Sequence, residues 1–228
     1  MSIPADSLVP FIDACVPADV ARPYIDKGYT GEQAVPYICY HMPPEAADYF
    51  KSRGISGELC GPYYAAGVSN EDIIAYLDSG FTADQIMPFV KAGVSEGDVL
   101  TYLDAGYTYD MVRPFVDAKM GLSDIMAYTG ADIAYDHARP YIDAGVPASI
   151  AIPYVNSAYR QDQSMPFAKA NISITKARPF LLLNIPSDQA IVYVRNGISA
   201  TTAKPYVDAG VPAEKAVDEI KKGIPPTV

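Results

Sequence analysis

The chain is built on a period of thirteen residues. Aligning Pro-aromatic pairs sets Leu8–Val20 (LVPFIDACVPADV) over Ala21–Gln33 (ARPYIDKGYTGEQ), and the series continues without insertion or deletion to Ala203–Lys215 (AKPYVDAGVPAEK) and Ala216–Val228. Those 221 residues make 17 units. A unit this short cannot bury a hydrophobic face alone, so only stacked units can make a core.

Counting from 1 at Leu8, position 4 is Phe or Tyr in 16 of 17 units, from Phe11 to Tyr206, with Glu219 the exception. Position 9 is apolar throughout, and position 8 is Gly in ten units. Position 10 is Ser or Thr in eight and Pro in six, and position 12 is acidic in eleven. Each unit therefore reads as one short helix of about ten residues, roughly 15 Å long. Ser or Thr at position 10 caps its N-terminus, and the acid at position 12 sits in the first turn, where the helix dipole favours it. Apolar residues at positions 1, 4 and 5 with Gly at 8 share one helical face. Gly at 8 suits a left-handed residue that ends the helix, with the apolar residue at 9 folding back on the last turn. Helices this short need their neighbours.

Pro occupies position 3 in most units, about 160° around the helix from position 1, and so on the outer face. Either it bends the helix toward solvent or it opens the second of two single turns. Between Pro36 and Pro140 it alternates with other residues, which makes the structural unit a 26-residue pair of inequivalent helices. The alternation resumes in opposite phase at Pro179, which points to a local change between Pro140 and Pro179. The expected fold is all-α, an elongated, curved, right-handed α-solenoid of about 17 short helices. Residues 1–7 are read as an N-terminal start, in phase with the repeat from residue 3. Residues 8–215 form one solenoid domain of sixteen repeats, and 216–228 a divergent capping repeat, where Asp218-Glu219 and Lys221-Lys222 make a polar end. The first unit, with Leu8, Val9 and Phe11, is apolar from its start, an end that could bury itself against another copy.

Composition limits the function classes. Seventeen Lys+Arg stand against 27 Asp+Glu, a formal charge of −10, so nucleic acid is not the expected partner. The first six residues carry neither a basic start nor a long apolar run, and no stretch approaches the roughly 18 apolar residues of a membrane span. Cys15, Cys39 and Cys60 cannot pair completely, which suits a reducing compartment. The expectation is a soluble, cytoplasmic chain without a membrane partner. Cys39, His41 and Cys60 lack metal-ligand spacing, and no catalytic constellation stands out, so no metal, cofactor or enzymatic activity is expected.

Two features of the surface are candidates for function. Acids at positions 12 and 6 point in nearly the same direction around each helix and form an acidic outer face: Glu71, Asp78, Asp84, Asp98, Asp104, Asp110, Asp117, Asp136 and Asp143. Such a face keeps an apolar array soluble, or docks a basic partner. The second feature is irregularity, since a binding site breaks a repeat where stability alone would preserve it. Lys119, Met120 and Leu122 accompany two successive losses of the Gly cap. Tyr159, Arg160 and Leu182 lie in or beside the phase switch, and Leu182 is apolar at an outward position. With Ile74, Met87 and Leu100 at position 2, they are the candidate partner contacts. The expected function is a non-enzymatic scaffold that holds a protein or peptide on its concave face or one edge. The alternatives are self-assembly through the N-terminal end, as a dimer or filament, and an acidic mimic of nucleic acid that binds a basic protein.

Overall fold

The computed structural model of the chain describes residues 8–226, and among these it is all-helical, with seventeen helices and no strand. The expected start at residues 1–7 lies outside the described residues, as do the last two residues of the capping repeat. The chain divides into two compact units, residues 1–111 and 112–228. The first carries α1 (Val9–Asp13), α2 (Ala18–Asp26), α3 (Gly31–Cys39), α4 (Pro44–Lys51), α5 (Gly57–Ala65), α6 (Asn70–Ser79), α7 (Ala83–Lys91) and α8 (Glu96–Asp104). The boundary falls inside α9 (Tyr109–Asp117). The second carries α10 (Leu122–Gly130), α11 (Tyr135–Asp143), α12 (Ala148–Val155), α13 (Gln161–Lys169), α14 (Ile174–Leu182), α15 (Ser187–Arg195), α16 (Ala200–Asp208) and α17 (Ala213–Lys221).

Each helix runs from position 11 of one unit to position 6 of the next, usually nine residues, and the four residues between helices are spent on the two caps. Position 8 takes a left-handed φ in sixteen of seventeen units: ten glycines, together with Cys15, His41, Lys119, Asp132, Asn171 and Asn184. In these turns position 8 donates to the carbonyl at position 5 and position 9 to the carbonyl at position 4, as with Gly93 to Val90 (2.9 Å) and Val94 to Phe89 (3.1 Å), except after Gly80, where the Phe81 N–H donates to the Ser79 hydroxyl (3.3 Å). This 6→1 and 5→2 pair is the Schellman arrangement. It persists without glycine: Lys119 still donates to Val116 and Met120 to Phe115. At the other end, Thr30 and Gln33 form a reciprocal capping box, Gln85 Oε1 accepts from the Thr82 N–H (2.9 Å) and hydroxyl (3.0 Å), and Ser69, Ser95 and Ser199 each accept a first-turn N–H.

Proline does not split the helices. At position 3 it is the sixth residue of a continuous helix, as in α2, α3 and α5, and no position-3 proline is buried. The ring faces outward, where a tilted carbonyl can meet water.

The core is two residues deep per helix. Position 4 is buried in sixteen units and position 1 in all but the first, where Leu8 is half-buried. The rings pair by twos: Tyr63 stacks on Tyr76 (5.6 Å) and Phe89 on Tyr102 (5.7 Å) in the first unit, and Phe115 on Tyr128 (5.8 Å) in the second. Helices pack on the next but one within each unit: α1 on α3, α3 on α5, α5 on α7 and α6 on α8, then α10 on α12, α12 on α14, α13 on α15, α14 on α16 and α15 on α17. Odd and even helices thus form two rows, the arrangement of a helical-repeat solenoid with a 26-residue step.

The turn between α12 and α13 is the one place where position 8, here Ala158, is not left-handed. There the Ser157 hydroxyl donates to the Tyr154 carbonyl (2.7 Å) and accepts from the Tyr159 N–H (3.3 Å), replacing the backbone bond.

Candidate functional site

The carboxylates of position 12 carry a pattern that their number alone conceals. Every odd helix from α3 to α17 has one, at an unbroken spacing of 26: Glu32, Glu58, Asp84, Asp110, Asp136, Asp162, Asp188 and Glu214. Even helices do not keep it. From α8 onward their position 12 is Gly97, Ser123, Ser149, Thr175 and Thr201. Helix-dipole stabilisation would favour an acid equally in both rows, so it does not account for the difference.

In the first unit the four acids, Glu32 to Asp110, are all exposed and make no ion pair among the described residues. The unit holds five cations against sixteen acids (−11), whereas the second holds twelve against eleven (+1). Four of the five are already engaged. Arg22 lies 3.9 Å from Asp26, Lys27 bridges Asp48 (2.6 Å) and Glu45 (3.6 Å), Lys51 sits 3.7 Å over the Tyr29 ring, and Arg53 sits 3.8 Å over the Tyr49 ring. The hydrogen bonds from Lys27 and Tyr29 hold the Asp48 carboxyl below its usual range.

Grooves separate the row. One of about 340 Å³ runs between Glu32 and Glu58, floored by Pro36, Tyr37 and Ile55; one of about 280 Å³ runs between Asp84 and Asp110, floored by Pro88, Leu103 and Tyr107. Each of the four acids is followed four residues on by proline (Pro36, Pro62, Pro88, Pro114), so its own backbone carbonyl also lacks the helical N–H donor. Carboxylate and carbonyl together make an acceptor-rich edge at the N-terminal ends of the odd helices. Leu59 (56% exposed) and Met111 (51%) stand beside Glu58 and Asp110 and add apolar surface.

The acids expected as one face thus belong to two rows. Asp84, Asp110 and Asp136 lie at odd-helix N-terminal ends and Glu71 at an even one, Asp98 follows position 12, and Asp78, Asp104, Asp117 and Asp143 lie at position 6, seven residues on and about 10 Å along the axis. All are exposed except Asp98, which is half-buried. Two position-6 acids are paired within their helix, Asp117 to Arg113 (3.4 Å) and Asp143 to Arg139 (3.5 Å).

Among the candidate contacts, Leu182 is 66% exposed, at the place where Asp26, Asp117 and Asp143 pair with an arginine one turn back; its own Arg178 makes no ion pair among the described residues. Lys119 and Arg160 are exposed, and Arg160 pairs with Asp162 (3.1 Å). Met120, Leu122, Tyr159, Ile74, Met87 and Leu100 are half-buried, the position-2 residues being partly covered by packing. Val9 and Ile12 of α1 are 47% and 70% exposed.

The tyrosine hydroxyls form a second network that sequence reasoning missed. Position 4 donates to the carbonyl of position 9 one unit on: Tyr24 to Met42, Tyr37 to Ile55, Tyr154 to Ile172 (2.7 Å) and Tyr206 to Ile224 (2.6 Å). Tyr141 instead meets Ser164 Oγ (2.9 Å), the one buried polar residue among those described, and a serine at a position that is otherwise apolar is the signal that could have found it. Burial pushes the phenols of Tyr76, Tyr102 and Tyr128 up to about 12. Tyr128 has a buried hydroxyl with no partner. Removing one member of a buried pair costs more than removing an unpaired group. Tyr154→Phe is therefore expected to lower stability by about 1–3 kcal/mol, and Tyr128→Phe to leave it unchanged or raise it. Urea midpoints of the two variants check the contrast, and equal losses would contradict it.

Comparison of the chain with protein-family models, with curated proteins and with solved structures finds no match. No helix among the described residues is long and apolar enough to cross a membrane, and no group of three or more His, Cys, Asp or Glu side chains among them is placed to hold a metal ion.

Proposed function

We propose that the protein is a non-enzymatic scaffold that holds a basic protein segment along the N-terminal ends of its odd helices. The observation that carries this reading is the 26-residue spacing of carboxylates that runs unbroken through the odd helices, whereas the even row keeps it only at Asp19, Glu45 and Glu71; the four odd-row acids of the first unit are exposed and make no ion pair among the described residues. Successive helices of a row pack about 8–10 Å apart. An extended peptide rises about 3.3 Å per residue, so a ligand with Lys or Arg at every third residue sets one cation against each carboxylate. The freed carbonyls beside the acids offer its N–H donors a second set of acceptors.

The test is calorimetric titration with an extended peptide carrying Lys at every third residue. Exposed ion pairs contribute about 0.2–1 kcal/mol each. Reversing all four (Glu32→Lys, Glu58→Lys, Asp84→Lys, Asp110→Lys) should weaken binding by about 1–4 kcal/mol, roughly five- to several-hundredfold. Affinity should fall with salt, because exposed charges are screened. Reversing Asp117 and Asp143, already neutralised within their helices, should leave it unchanged. Binding that ignores both the four reversals and salt would sink the reading.

A further inference from the structure

The cations of the second unit form a row of their own. At position 6, the C-terminal end of the helix, α13, α15 and α17 carry Lys169, Arg195 and Lys221, again 26 residues apart. All three are exposed and none makes an ion pair among the described residues; Lys221 only donates to Asn196 Oδ1 (2.9 Å). The helices that bear them pack on one another, α13 on α15 and α15 on α17. Cations in a last turn complement the helix dipole, but in a chain with 27 acids these three stand in register with no carboxylate partner among the described residues. Between Asp162 and Asp188 the sequence holds no acid at all.

We propose that this cationic row docks against the acidic edge of a second copy of the chain. This rests on reading that edge as a protein-binding face, and it names the partner. Charge complementarity and pitch both support it. Both rows are laid down by the same repeat with the same 26-residue step, so Lys169, Arg195 and Lys221 can meet three successive members of Glu32, Glu58, Asp84 and Asp110 in register. The surfaces also agree in apolar character. Beside Lys169 lies a shallow surface hollow lined by Met165 and Pro166 together with the Arg160–Asp162 ion pair, apolar surface against which the exposed Leu59 or Met111 of the other copy can rest. The two patches are different, so the contact is heterologous.

The experiment is analytical ultracentrifugation of the full chain over a range of concentrations, in about 0.01 M and about 1 M salt, where the screening length falls from roughly 30 to 3 Å. At low salt the wild type should show a concentration-dependent mass above 24.5 kDa, and at high salt that of the single chain. The variant Lys169→Glu/Arg195→Glu/Lys221→Glu and the variant Glu58→Lys/Asp84→Lys/Asp110→Lys change only exposed side chains, and circular dichroism checks that each folds. Each alone should self-associate at least about tenfold more weakly than the wild type, and an equimolar mixture should recover association, because each keeps the surface that the other has lost. A wild type that stays at single-chain mass at low salt, or a mixture that does not associate, overturns the proposal. If the basic peptide still binds the edge of that single chain, the scaffold reading stands and only the identity of the partner falls; if the peptide fails as well, both fall.

Discussion

Phe89→Ala is expected to lower stability by about 3–5 kcal/mol, the usual cost of deleting a buried ring and leaving its cavity. Phe89 is fully buried, stacks on Tyr102 at 5.7 Å and meets the edge of Tyr109 at 5.2 Å, so one substitution removes two ring contacts. Each is worth about 0.5–1.5 kcal/mol beyond its area. Phe89→Leu keeps most of the apolar volume but still loses both ring contacts, so it should cost about 1–3 kcal/mol, less than alanine. In a stack whose stability is a sum of units and nearest-neighbour contacts, the damage should be local. Hydrogen exchange should show protection falling first in α7, α8 and the start of α9. A uniform loss along the chain, or a shift under 1 kcal/mol in urea unfolding, would contradict the nearest-neighbour account.

Gly57→Ala should be the costliest methyl on the molecule. A Cβ at Gly57, the first residue of α5, would lie 2.5 Å from the Tyr37 amide nitrogen and 2.6 Å from the Pro36 carbonyl carbon. Both are backbone of α3, and no side-chain rotation can relieve them. The two helices must separate, at about 1–3 kcal/mol or more. Two other glycines calibrate the claim. At Gly61 the nearest atoms to the new methyl belong to the Tyr40 ring, its Cγ included, so a change of that side chain's rotamer, not a separation of backbones, relieves the clash and the loss should be smaller. At Gly97 nothing lies within 4 Å, and alanine in that helix should be neutral or stabilise by up to about 1 kcal/mol. Thermal unfolding of the three variants gives the ranking, and a harmless Gly57→Ala would show that the α3–α5 approach is looser than described.

The period, the two-helix step, the left-handed caps and the buried positions 1 and 4 were legible because each is a local rule repeated many times; position 5, read as part of the same face, is buried only at Leu103 and Ala168 among the described residues. Less legible was whatever depends on which neighbour a helix faces. The two successive losses of the Gly cap, at Lys119 and one unit on at Asp132, leave the left-handed turn in place, because the closing bonds to positions 4 and 5 need N–H groups and not a glycine. The tyrosine-to-carbonyl bonds span 18 residues and leave no trace in a single unit. The acidic edge was half seen. Direction around the helix put positions 12 and 6 together, but length along the axis separates them, so Asp84 and Asp78 stand at opposite ends of their helices. Gly57 gave no warning beyond being a glycine at the start of a helix, since a close approach by another backbone is a property of the pair.

Because helices of one row touch every second helix, the chain can change length only in steps of two units. Removing thirteen residues would exchange the rows for every helix downstream: Asp110 would follow Asp84 onto the wrong side, and rings that stack by twos would find the wrong mates. Removing twenty-six would shorten the edge by one carboxylate and leave the rest in register. The length of the row, and with it the number of cations it can meet, is therefore counted in whole helix pairs.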